Sequence, residues 1–282
     1  MTKNGLWLKP TDSFLLYGLT GSGKTTQLAE LIKATEKPGL VYVTDYGGIA
    51  PLEGVADLEV FRYGMDPFVW LDAAVQGKRF VNGKWIASDL STYGLIGMDS
   101  LSGMGDLIMN GLGKQAADGK AIGGEPAPAL TITAEGQTIK VPSSSRTHYL
   151  VAQKYLLEKV WQSQALPCPV LWTAHEDIGD AGDLASSPGV KGIIGPMVAG
   201  HALTTGLPKY FVYTFRLKIE LLPPVGSVQH VLYSTRRKDG FYEALANNRA
   251  PLGSTIPSRQ QPADVVQLLS LLQAARPPTV RT

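Results

Sequence analysis

Eight consecutive residues, Gly18, Leu19, Thr20, Gly21, Ser22, Gly23, Lys24 and Thr25, carry the most specific chemistry in the chain. They match the pattern of glycine, four residues, Gly-Lys and then Ser or Thr. Glycines at this spacing let successive backbone N–H groups curl around phosphate oxygens, at the positive end of the helix that follows. Lys24 would then reach the β- and γ-phosphates of a nucleotide, and the Thr25 hydroxyl would ligate Mg2+. Thr26 completes the candidate binding run. The bland alternative is a glycine-rich turn with an ordinary surface lysine.

A metal held by one hydroxyl needs a carboxylate partner. Asp99 ends the apolar run Leu95-Ile96-Gly97-Met98, where the metal-side aspartate of a phosphate-loop enzyme belongs. Asp99 and Ser100 are also good helix caps, which is the competing structural reading. Many motor ATPases, viral packaging motors among them, carry a water-activating Glu directly after this aspartate. Here that residue is Ser100. The base must come from elsewhere, or the protein is a transferase or a weak ATPase. Asp45, in Val43-Thr44-Asp45-Tyr46-Gly47-Gly48, stands at the end of the strand after the phosphate-loop helix and could polarise the attacking water. A turn-forming Asp before Gly-Gly is the other reading.

The elements that must position these residues are legible in outline. Residues 13–17 (SFLLY) form a short apolar run that stops at Gly18 and reads as a buried strand. Residues 25–35 put Leu28, Leu31 and Ile32 at helical spacing, and Lys37-Pro38-Gly39 ends that helix. Residues 40–44 read as the next strand, 58–62 as a candidate third, and 67–76 as a helix. In 79–87, Asn82-Gly83 between strand-like runs signals a hairpin. Residues 111–146 are rich in Gly, Ala, Pro and Ser without a helical period, so an insertion or mobile loop is expected there, with a small hairpin over 130–141. Residues 147–164 read as a long helix with Leu150, Leu157 and Trp161 on one face. A buried strand over 169–174 ends at His175, 176–208 is loop-like, and strands are expected over 211–221 and 228–235. A helix and tail close the chain over 258–282. Short apolar strands alternating with helices point to an α/β fold with a largely parallel sheet covered on both faces.

At 282 residues the chain reads as one large domain, or a domain with a substantial insertion. Its single cysteine, Cys168, excludes an intrachain disulfide framework and a multi-cysteine metal site. Between Pro167 and Pro169 it reads as core packing. His148, His201 and His230 lack metal-ligand spacing, and Tyr46, Tyr63 and Trp85 are weak candidates for stacking on a base. The first residues lack the apolar core of a signal peptide, and 192–203 is too short and Gly-rich to span a bilayer, so a cytoplasmic protein without a membrane partner is expected. The formal charge of +2 hides an asymmetry. Residues 209–282 hold ten Lys/Arg against four Asp/Glu, whereas 1–208 hold 16 against 20. A basic C-terminal third suits nucleic acid, a nucleotide or an acidic neighbouring subunit, and equally a solvated basic face.

Four segments together resemble the RecA-like ATPase core, and most closely the RecA-like ATPases that bacteriophages encode for single-strand annealing and recombination. They are LLYGLTGSGKTTQ (15–27), LIGMDSLS (95–102), VLWTAHED (170–177) and YEALANNRAP (242–251), so the likeness spans most of the chain. Only the first is specific on its own. The resemblance implies a RecA-like P-loop NTPase domain over 1–282: a mostly parallel sheet flanked by helices, with ATP and Mg2+ bound between subunits of a homo-oligomer. It gives His175 the place of a residue that senses the γ-phosphate and relays nucleotide state into the following loop, although a strand-end cap is the alternative. That loop, 178–207, matches the position of a mobile DNA-contacting loop, yet only Lys191 in it is basic. Asn247-Asn248-Arg249 resembles the Lys-x-Arg finger that enters a neighbour's site, with Asn247 standing where Lys is usual. Arg236 and Arg237, in a basic turn with Lys238, are the other candidates for a finger or for DNA phosphates.

The resemblance therefore implies ATP hydrolysis on single-stranded DNA, in recombination, repair or annealing, with a single-strand-binding or annealing protein as a further partner. Two rivals stay open: a small-molecule or nucleoside kinase whose glycine-rich insertion acts as a lid, and a non-hydrolysing, ATP-dependent DNA-binding switch.

Overall fold

The computed structural model describes residues 6–61, 67–117, 129–134, 137–142, 146–180, 190–199, 202–222, 227–240, 242–250 and 254–275. Strand β1 (Ser13–Gly18) is buried along its whole length and leads into helix α1 (Lys24–Ala34). The chain returns through β2 (Gly39–Val43) and β3 (Ala56–Val60), then α2 (Pro67–Val75) and a hairpin of β4 (Lys78–Val81) and β5 (Lys84–Ala87). Asn82 and Gly83 in its turn have φ of 50° and 78°, the positive pair that a two-residue hairpin loop needs. β6 (Leu95–Asp99) and α3 (Leu101–Ala117) follow, then a separate hairpin of β7 (Ala129–Ala134) and β8 (Gln137–Pro142), α4 (Arg146–Ser163) and the long β9 (Val170–Asp180). β10 (Gly192–Pro196), α5 (Ala202–Gly206), β11 (Tyr213–Leu222), β12 (Ser227–Tyr233), β13 (Arg237–Asp239), β14 (Tyr242–Ala244), β15 (Arg259–Gln260) and α6 (Val265–Ala275) complete the described chain.

Six strands run parallel in the order β3-β2-β6-β9-β1-β11. β12 and β15 extend this sheet antiparallel beyond β11. β9 outlasts its neighbour β6: residues 170–172 pair with β6, and 176–180 pair antiparallel with β10, which carries β14 and β13 outward. Side chains of β1 alternate between two cores. Leu15 and Tyr17 face the layer that holds Trp70, Met104, Ile108, Leu156 and Trp172, while Phe14 and Leu16 face Leu28, Leu31, Ile32, Leu268 and Leu272. Helices α2, α3 and α4 thus cover one face and α1 and α6 the other, in three layers. No helix among the described residues is long and apolar enough to cross a membrane.

Three expectations are corrected. Helix α3 occupies 101–117, so the first part of the expected insertion (111–117) is helical. Leu101, Met104, Ile108 and Leu112 give the buried stripe, and the glycines that obscure it serve close approach: a Cβ on Gly103 would lie 2.3 Å from Thr44 Oγ1. The hairpin within the insertion does form, and residues 118–128, 135–136 and 143–145 lie outside the described residues. The loop-like stretch 176–208 contains half of β9, β10 and α5. Its glycines are contact points, since a Cβ on Gly195 would meet Thr204 O at 2.4 Å. Residues 181–189 and 200–201, including His201, lie outside the described residues.

Helix α4 is also turned from the expected face. Leu150 is 53% and Trp161 67% exposed, while Leu157 only flanks the core. The buried face carries His148, Ala152, Leu156, Lys159, Val160 and Ser163. Apolar residues lie all round this helix, so periodicity alone does not select a face. Trp172 on β9 fixes the rotation, donating its indole N–H to Ser163 Oγ at 3.1 Å. In urea unfolding, Leu156→Ala is expected to cost about 2–5 kcal/mol through the cavity it leaves. Leu150→Ala should stay within about 0.5 kcal/mol. The reverse order would place the wrong face inward.

Candidate functional site

The glycine-rich loop sits between the buried end of β1 and the start of α1. Gly21 and Gly23 have φ of 77° and 94°, in the left-handed region that L side chains avoid. Gly23 is the N-cap of α1 and offers no side-chain cap, so the first-turn N–H groups of the helix are left for another acceptor. The Ser22 hydroxyl is buried with no hydrogen-bond partner among the described residues. Lys24 is 8% exposed and donates through Nζ to the carbonyls of Gly18 (3.0 Å) and Leu19 (2.9 Å). Burial lowers its pKa, and Asp99, Asp45 and Glu176 pull it back up. Thr26 follows Thr25 in the first turn of α1.

Asp99 lies at the end of β6, 3% exposed, with both carboxylate oxygens engaged. Thr25 Oγ1 donates to Oδ2 at 2.9 Å, and Thr173 Oγ1 of β9 donates to Oδ1. Burial raises the Asp99 pKa, while the hydrogen bonds from Thr173 and Thr25 oppose the rise. One hydroxyl and one carboxylate in contact fit a Mg2+ that takes its remaining oxygens from phosphates and water. Uncapped helix N–H groups, a buried lysine and an acceptor-free serine hydroxyl beside them fit a polyphosphate. The Asp99–Ser100 peptide is cis, and Thr44 brackets it, receiving the Ser100 N–H at Oγ1 (2.9 Å) and donating to Ser100 O (3.1 Å).

Asp45 forms the turn expected of an Asp before Gly-Gly. Its Oδ1 accepts the Gly47 N–H at 3.2 Å and caps a short turn, while Oδ2 lies 3.8 Å from His175 Nε2. That turn covers the Thr25 hydroxyl closely, since a Cβ on Gly48 would be 3.4 Å from Thr25 Oγ1. His175 Nδ1 lies 3.3 Å from Thr20 Oγ1 at the tip of the glycine-rich loop. Its backbone is fixed too: His175 N–H donates to Ser102 Oγ (2.9 Å), and His175 O accepts the Met197 N–H (2.6 Å). Burial and the Lys24 charge lower the His175 pKa against the pull of Asp45, Asp99 and Asp106.

Arg249 is not brought to this cluster. It is exposed with φ of 41°, and its guanidinium reaches the Lys209 carbonyl at 3.5 Å. Asn247 bridges to Thr214, which is level with Leu15 near the start of β1. Gly18 is three residues further along that strand, on the order of 10 Å away. Arg236 pairs with Glu243, and the Arg237 guanidinium lies 4.3 Å over the Tyr233 ring. Cys168 is buried, its thiol pKa pushed up to about 12 by desolvation, and Trp85 packs against Trp70 and Phe80. Tyr46 ties its hydroxyl to Phe61 O, and Tyr63 lies outside the described residues. Among the described residues no group of three or more His, Cys, Asp or Glu is arranged to hold a metal.

Three further features escaped sequence reasoning. Thr173 is one, although a threonine two residues before His175 in an apolar strand was a usable signal, because alternate residues share a face. His230 on β12 is another: its Nδ1 lies 3.0 Å from Ser22 O and must donate there, since a carbonyl only accepts. The third is a buried charge cluster on the opposite face of the sheet. Arg216, 2% exposed, binds Glu176 through Nε (3.0 Å) and Nη2 (3.3 Å) and Asp239 through Nη1 (2.7 Å), and Lys218 also reaches Asp239 (2.9 Å).

Neither a family model nor a curated protein matches this chain. Two solved structures resemble it at low identity. The flagellar accessory protein FlaH from Methanocaldococcus jannaschii is 10% identical, with 79% of this chain and 77% of that one covered at a TM-score of 0.38. The RadB recombinase is 14% identical, with 84% and 91% covered at a TM-score of 0.40. Likenesses this loose carry no argument about activity. The chain's own strand order and contacts establish a mixed α/β fold with a mainly parallel central sheet flanked by helices.

Proposed function

We propose that the chain is a Mg-dependent, RecA-like ATPase acting on DNA, a single ATPase domain over 1–282. The observation that carries this reading is the Thr25–Asp99 hydrogen bond of 2.9 Å beside a buried Lys24 at an uncapped helix start. Residues 18–26 hold the triphosphate through backbone N–H groups, and Lys24 supplies a positive charge to its β- and γ-oxygens. Thr25 and Asp99 hold Mg2+, which supplies charge neutralisation at those oxygens when bound. Thr173 orients the Asp99 carboxylate and opposes the rise in its pKa that burial causes. Asp45 accepts the proton of the attacking water, and His175 hydrogen-bonds at the γ-phosphate end and passes its state to β9 and β10. Arg249, remote from its own site, enters the site of the next copy in a head-to-tail homo-oligomer. The sequence resemblance supports a cytoplasmic role in recombination, repair or single-strand annealing, of the kind bacteriophages encode.

Turnover measured over a protein concentration series, with and without single-stranded DNA, tests this reading. Turnover should rise with both, and Lys24→Ala should remove it. Turnover that ignores DNA and concentration points instead to a monomeric kinase, and tight ATP binding without turnover to a switch. Asp45→Asn is expected to lower kcat by about 10²–10⁴ with nucleotide affinity nearly unchanged. A kcat within a few-fold of the wild type would remove Asp45 as the base. Arg249→Ala should lower kcat by about 10³ or more. Mixing Arg249→Ala with Lys24→Ala protein should restore part of the rate, because one variant keeps a sound site and the other a sound finger. Without such complementation the finger does not act in trans. Thr173→Val should raise the Mg2+ concentration needed for half-maximal rate about tenfold, through loss of one charge-assisted hydrogen bond.

A further inference from the structure

Three of the ten Lys/Arg of residues 209–282 are consecutive, at one turn. Arg236, Arg237 and Lys238 are all exposed and lead through β13 into Asp239-Gly240. The carboxylate in this turn is already engaged, because Asp239 is bound by Arg216 at 2.7 Å and Lys218 at 2.9 Å. Glu243 is engaged by Arg236, and Glu176 by Arg216. Among the described residues Arg216 and Lys218 pair with Glu176 and Asp239, Arg236 pairs with Glu243, and Glu220, which accepts from the Tyr233 hydroxyl, is held by Arg259. The surplus positive charge therefore falls on the outermost pair, Arg237 and Lys238. Tyr233, a buried ring, lies 4.3 Å beneath the Arg237 guanidinium. Stacking occupies the face of a guanidinium and leaves its in-plane N–H donors for other acceptors, the arrangement suited to a phosphate.

We propose that this turn contacts the phosphate backbone of single-stranded DNA, with Arg237 and Lys238 as the contacting cations. The inference rests on the DNA-acting reading above and assigns it a surface. That surface is joined to the phosphate site by backbone pairing. Met197 at the end of β10 donates to His175 O, β10 pairs with β14, and β14 pairs with β13. Arg216 makes a second link, from Asp239 to Glu176, the residue after His175. The stretch 178–207, which holds the position of a DNA-contacting loop in the resemblance, has Lys191 as its only Lys or Arg.

Fluorescence anisotropy of a labelled oligodeoxythymidylate, titrated with the full chain in Mg·ATP over a salt series, tests the assignment. The double variant Arg237→Glu, Lys238→Glu should bind at least tenfold more weakly. Two lost phosphate contacts should also flatten the slope of log K against log salt by about 1.4, at roughly 0.7 per single-strand contact. Its ATP affinity should match the wild type, which reports an intact fold. Lys238→Ala, a truncation of one exposed side chain, should weaken binding about threefold and covers the case in which double reversal disturbs folding. Wild-type affinity and slope in both variants overturn the surface and leave the DNA-acting reading standing. A wild-type protein that binds no oligonucleotide overturns that reading itself. Binding of polyglutamate in preference to the oligonucleotide also overturns the proposal, since the turn would then be a protein-docking site.

Discussion

Asp99 is a carboxylate in an apolar setting, and its neighbours must answer for its charge. Burial favours the protonated acid, which could not hold a cation. Two hydroxyls act against that: Thr25, brought by the glycine-rich loop and α1, and Thr173, brought by β9. The same three elements also set the register of the sheet, for β9 lies between β6 and β1 and pairs with both. A shift of one residue in β9 would turn Thr173 to the other face and put an apolar side chain against the carboxylate. Strand order, register and the polarity of a single position are thus one requirement.

β9 also distributes that requirement. Its first half is a buried interior strand, and its second half leaves the parallel sheet to pair with β10. The change of partner falls at His175 and Glu176, whose side chains point to opposite faces, one toward the glycine-rich loop and the other toward Arg216. A small displacement at this junction is felt on both sides of the sheet, because both residues are anchored: His175 by its backbone at Ser102 and Met197, and Glu176 by two hydrogen bonds from one guanidinium.

What the sequence conveyed follows the range of the forces involved. The glycine-rich loop, the strand before it and the helix after it are local, and Gly21 and Gly23 adopt the positive φ that glycine allows. Asn82-Gly83 fixed its hairpin for the same reason. The contact between Thr25 and Asp99 spans 74 residues, yet a strand end marked it in advance. Glycine misled where it served contact instead of turning: Gly103 in α3 and Gly195 in β10 make room for neighbours that no local pattern announces. The face of α4 was illegible because apolar residues surround it and the choice belongs to Trp172. Thr173 and Arg216 were missed because each acquires its meaning only from a partner on another strand.

The Arg216 cluster has a consequence for how the sequence can drift. Arg216 is buried and pairs with the partly exposed Glu176 and Asp239, and Lys218 shares the second carboxylate. Loss of Glu176 or Asp239 takes a counter-charge from the buried guanidinium, at a cost of up to about 3–5 kcal/mol, whereas loss of the partly exposed Lys218 leaves Asp239 paired with Arg216. Replacement of the whole set by apolar side chains of similar volume carries no such cost. Positions 176, 216 and 239 should therefore behave as a single inherited character in relatives of this chain, kept together or exchanged together, although they come from three different strands.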